Sequence, residues 1–113
     1  MKTLAAAAAA LSLAVASAQG ATPARPALRL ARTVPIRLFG EHFHPRERVK
    51  VTIVLSGARS VHTVRTGATG TFRVALGERS FDPCNDSLSA HAIGSDGDEA
   101  SLKIVPRECP PAP

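Results

Sequence analysis

The chain has 113 residues, 44% of them hydrophobic, with 14 Arg or Lys against 9 Asp or Glu and a formal charge of +5. That length sets one small domain with a marginal core. The absence of Trp and Tyr and the presence of only two cysteines argue against a flat aromatic platform for sugars and against a cysteine-built zinc site, which wants four close ligands.

Residues 1–20 read MKTLAAAAAALSLAVASAQG. Lys2 gives a positive start, residues 4–15 are an apolar run too short to span a bilayer, and Ala16-Ser17-Ala18 is a small-x-small cleavage signal. Residues 1–18 are therefore expected to be a signal peptide, leaving Gln19 at the mature N-terminus and, without Lys2, a charge of 5 − 1 = +4. Export to a secreted, periplasmic or cell-envelope location follows. No cysteine at the cleavage point offers a lipid anchor, and no later stretch reads as a transmembrane segment.

Residues 19–27 form a Pro-interrupted, extended lead-in. After it, apolar residues recur with period two: at 28–31, at 34–39, and then Val49, Val51, Ile53 and Leu55 in alternation with Arg48, Lys50, Thr52 and Val54. The weaker run 60–66 follows, then Phe72, Val74 and Leu76. Leu88, Ala90 and Ala92 and finally Ala100, Leu102 and Ile104 repeat the pattern. SGAR at 56–59, GATG at 67–70 and SDGD at 95–98 supply turn residues between these runs, and 77–86 is a longer loop. No long helical pattern exists outside the signal peptide. About seven short strands predict an all-β chain, a single Ig-like antiparallel β-sandwich over 28–109, with a flexible tail at 110–113.

Cys84 and Cys109 behind an export signal read as a disulfide. Folding the last two strands about Asp96-Gly97 so that paired residue numbers sum to 193 sets the cysteines opposite each other. The apolar faces match better at a sum of 192, with Leu88 facing Ile104 and Ala90 facing Leu102. The irregular stretch after Pro106 is expected to absorb the difference of one residue.

The run G40-x-x-F43-x-P45-x-E47-x-V49-x-V51, the G-x-x-G-T-F-x-V hairpin at 67–74 and SLSAHAIGSDGDEASLKIV resemble the Ig-like sandwich modules of bacterial secreted and surface proteins. The resemblance covers about residues 34–105. It implies that GEHFHPRERV, residues 40–49, is the bend between the second and third strands, with Pro45 and Glu47 at its turn and His42 and His44 as loop residues. Such modules usually carry Gly at the position of Arg46. Carrier proteins of the neocarzinostatin type share a similar bend, with two disulfides and an aromatic-rich cleft that this composition does not offer.

No G-x-S-x-G or other nucleophile motif occurs, both cysteines are expected to be bridged, and His62 and His91 stand alone on strands. The chain is therefore expected to be non-catalytic, with no cofactor. Nucleic acid is an unsuitable partner, because aromatic residues do not interleave the basic ones and the compartment is wrong. The primary expectation is a structural or protein-interaction module acting through a loop end or by strand addition at a sheet edge. The alternative is a binder of anionic cell-envelope polymers through Arg48, Lys50, Arg65 and Arg73. Alternation sets Arg48, Lys50 and Arg73 away from the core and leaves the face of Arg65 open, and a merely solvated sheet face is the ordinary reading of such residues. A third expectation is a zinc or copper site. In an Ig-like sandwich the loops carrying His42 and His44 and carrying Asp96, Asp98 and Glu99 lie at the same end.

Overall fold

The computed structural model describes residues 24–111. The signal peptide expected over 1–18, most of the lead-in and the last two residues of the tail lie outside the described residues. Seven strands follow in chain order: β1 (Ala27–Thr33), β2 (Ile36–Glu41), β3 (Arg48–Leu55), β4 (Ala58–Arg65), β5 (Phe72–Ala75), β6 (Leu88–Gly94) and β7 (Glu99–Ile104). They form a β-sandwich of two antiparallel sheets, one ordered β1-β2-β5 and the other β4-β3-β6-β7. The chain crosses between sheets at 42–47, at 66–71 and through the long loop 76–87.

Alternation along each strand decides what is buried. Ile36 and Leu38 of β2, Val49, Val51 and Ile53 of β3, Phe72 and Val74 of β5, and Leu88, Ala90 and Ala92 of β6 point inward and form one continuous core. Phe43 and Phe81 reach that core from loops, and the rings of Phe43 and Phe72 meet edge to face with centroids 5.1 Å apart, a preferred aromatic geometry. Phe39 alone of the four phenylalanines is outside the core. The second strand begins at Ile36 rather than Val34, because Val34-Pro35, joined by a cis peptide, makes the turn from β1. The first begins at Ala27, at the end of the expected lead-in.

Two local features set the registers. Ser56 and Gly57 both have positive φ, the conformation of a two-residue hairpin turn whose twist matches its strands, and Leu55 accordingly faces Ala58. At the other hairpin, Leu88 faces Ile104 and Ala90 faces Leu102, the register of sum 192 that core packing favours. Cys84 and Cys109 lie beyond the paired residues and are bridged, with Cα atoms 5.6 Å apart, inside the range a disulfide spans. Arg107 donates its backbone N–H to the Pro83 carbonyl at 3.0 Å, which draws the irregular stretch back to the loop and absorbs the one-residue offset.

Candidate functional site

The bend 42–47 and the β6–β7 hairpin meet at one end of the sandwich, and a buried carboxylate joins them. Glu47 is 1% exposed. Its Oε1 accepts the His44 backbone N–H at 3.1 Å and its Oε2 accepts the Asp96 backbone N–H at 2.7 Å. Its own backbone N–H donates to Thr66 Oγ1 at 2.7 Å, and that hydroxyl donates to the His44 carbonyl at 2.6 Å. Asp98 completes the clasp from the hairpin side: its Oδ2 accepts the His44 backbone N–H at 2.9 Å and bonds the His44 ring at Nδ1. Gly94 makes the arrangement possible, since a Cβ there would collide with the Glu47 carboxylate.

The electrostatics follow from this geometry. The hydrogen bond to Asp98, reinforced by that carboxylate's charge, raises the His44 pKa above its ordinary value. Burial pushes Asp98 upward, but its hydrogen bonds with Glu47 and His44 outweigh this and hold it below the usual carboxylate range. Burial, with the neighbouring Asp98, raises Glu47. One imidazole nitrogen and two carboxylate oxygens from His44, Glu47 and Asp98 lie within 4.8 Å of one another, a set that zinc or copper accepts. The carboxylate oxygens of this set are already acceptors for backbone N–H groups of the two loops.

Of the residues considered for metal, the structure brings His44 and Asp98 together and places the Asp96 backbone at the clasp. His42 stands beside Glu41 at 3.9 Å, and Glu99 is paired with His91 at 2.7 Å on the outer face of the four-stranded sheet. Glu47 takes the central position instead. Its place two residues after Pro45 marked the bend, but the burial comes from the hairpin closing over it, which local pattern does not contain.

The basic residues divide between the two sheets. Arg48 and Arg65 are direct cross-strand partners and Lys50 lies two pairs further along, on the same face as Arg48, so register assigns Arg65 to that outer face. Arg73 lies on β5, on the opposite side of the sandwich. It therefore does not belong to a single basic face with the other three, because β5 pairs with β2 rather than with any strand of their sheet. On that opposite face Arg73 joins Arg29, Arg32 and Arg37 around Phe39. Alternation along LRLAR and IRLF points most of these residues outward, and the signal lay in combining the three strands of one sheet. Among the described residues the ion pairs are those of His42, His44 and His91 with carboxylates, and no Arg or Lys takes part in one.

No protein-family model and no curated protein matches the sequence. A solved structure, a carbohydrate acetylesterase from Xanthomonas citri, aligns with 66% of this chain at 24% identity and a TM-score of 0.40. The chain aligns with 15% of that protein's length.

Proposed function

We propose that the chain is an extracytoplasmic, non-catalytic Ig-like module that binds another protein by accepting a strand at the β4 edge. The bridged cysteines and the signal-like N-terminus support the compartment, and among the described residues no helix is long and apolar enough to cross a membrane. The observation that carries the binding mode is the shape of β4. It pairs with β3 on one side only, over eight residues in unbroken register. The other sheet's edges are blunter: β1 has a bulge between Leu30 and Arg32 and β5 has four residues.

Thr66 donates its backbone N–H to the Glu47 carbonyl. Antiparallel pairs alternate, so Ala58, Ser60, His62 and Val64 bond to β3, and Arg59, Val61, Thr63 and Arg65 turn their N–H and C=O groups outward. Such a row is a template for another strand. Val61, 49% exposed between the flanking arginines, offers an apolar contact along it. Thr63→Pro removes one outward N–H without touching the β3 ladder. A partner captured from the host envelope by the wild-type chain is expected to be lost by Thr63→Pro and kept by Thr63→Val. Equal capture by both would place the interface elsewhere.

A second reading, binding of an anionic envelope polymer, is favoured by the absence of carboxylate ion pairs to the arginines among the described residues. That charge is left for an external anion.

A further inference from the structure

We propose that the outer face of the β1-β2-β5 sheet is a binding site for an acidic polysaccharide bearing carboxylates on its sugar rings. The inference rests on the anionic-polymer reading above and gives it a face and a ligand class. Arg29 of β1, Phe39 of β2 and Arg73 of β5 are consecutive cross-strand partners, and Arg32, Arg37 and Ala75 make the adjacent row. The Arg29 guanidinium carbon sits 4.6 Å from the Phe39 ring centroid and that of Arg73 sits 5.8 Å from it. Both distances are within cation–π range. One ring thus holds two planar guanidinium groups in place, which reduces the rotamer freedom a ligand must quench.

Arg37 is anchored as well, donating to the Ile36 and Gly77 carbonyls at 2.8 and 3.0 Å. Four cations therefore share one sheet face, and the acidic residue on these three strands is Glu41, which follows Phe39 on that face opposite Ala27 and does not line the trough between the arginines. Like charges brought this close repel one another unless an anion lies among them.

The floor decides which anion. The arginines frame an open trough of about 500 Å³ whose base is exposed Ala31 and Ala75 with the half-buried edge of Phe39. Ala31 is the unpaired residue of the β1 bulge. Small apolar residues between guanidinium groups suit a ligand with both C–H faces and planar carboxylates. A sugar ring packs its C–H face on the alanines while its carboxylate takes two N–H donors from one arginine. A polyphosphate matches the charge and leaves the apolar floor without a partner. The opposite face, with Arg48, Lys50 and Arg65, is less suited, because Glu99 shares its surface and among the described residues no aromatic ring holds those three cations.

The test is calorimetric titration of the mature chain with a galacturonic-acid oligomer, with its neutral methyl ester and with inorganic polyphosphate. The oligomer is expected to bind most tightly, in a salt-dependent manner, and the ester not at all. Arg29→Gln/Arg73→Gln is expected to weaken binding at least about tenfold, since each lost charge-assisted hydrogen bond is worth that much or more. Phe39→Leu gives a smaller loss, and Arg48→Gln/Lys50→Gln stays within about twofold of wild type. Unchanged melting temperatures show that the exposed substitutions leave the fold intact. Polyphosphate binding as tightly as the oligomer would overturn the uronate assignment, and loss of binding in the Arg48/Lys50 variant alone would overturn the face. Failure of both polymers to bind would instead defeat the anionic-polymer reading itself.

Discussion

The buried Glu47 carboxylate has no solvent to accept from, so it accepts two backbone N–H groups instead, one from each loop. Glu47→Ala leaves the Asp96 N–H without an acceptor and the His44 N–H with Asp98 alone, and is expected to cost about 2 kcal/mol in denaturant unfolding. Gly94→Ala should cost a similar amount alone and less in the Glu47→Ala background, because the clashing carboxylate is then gone. The clasp also titrates. The raised His44 pKa contributes stability that is complete below the unfolded value of 6.5 and is lost as pH rises through the folded value. Asp98, depressed, contributes above its unfolded value of 3.8 and loses that as pH falls, whereas the raised pKa of buried Glu47 makes its ionisation oppose stability as pH rises. The difference in melting temperature between wild type and His44→Ala should therefore be full below about pH 6.5 and shrink as pH rises above it. A difference independent of pH would remove the imidazole–carboxylate bond from the account. Arg46 has φ of 56°, a region that costs a side-chain-bearing residue about 1 kcal/mol. Arg46→Gly is expected to recover up to about that amount, and a loss of stability would show that the arginine side chain holds the bend.

At the scale of elements, period-two alternation made the strands legible: the inward residues of β3, β5, β6 and β7 are those the spacing marks. The β6–β7 register was legible for the same reason, since a slip of one would have turned Leu102 and Ile104 away from the core. Which sheet each strand joins was not legible, because β2 pairs with β5 across more than thirty intervening residues and nothing local encodes that choice. Local alternation therefore groups Arg73 with Arg48 and Lys50 and does not gather the arginines of β1 and β2 onto one face with it. The disulfide closes the β6–β7 unit across a sequence separation of 25, worth about 3.5 kcal/mol by loop-closure entropy. Cys84→Ala/Cys109→Ala should lower unfolding free energy by about that much. A loss well under 1 kcal/mol would mean that the Arg107–Pro83 bond and the strand ladder already hold this end.

The described residues form a small sandwich whose two outer faces carry arginines without a carboxylate partner among those residues, whose one end is locked by a buried carboxylate and whose longest unbroken sheet edge is open. With the ionisable cluster occupied in joining loops, the groups that remain free to act are on faces and edges. That division underlies the reading of the chain as a binding module, and its least ambiguous part is the β4 edge. Residue-resolved amide exchange of the free mature chain tests it most directly. Amides of Ser60, His62 and Val64, bonded to β3, are expected to exchange slowly, and those of Arg59, Val61, Thr63 and Arg65 to exchange fast and become protected when a partner strand docks. Equal, strong protection of all these amides in the free chain would show that the edge is already covered, and would contradict the account.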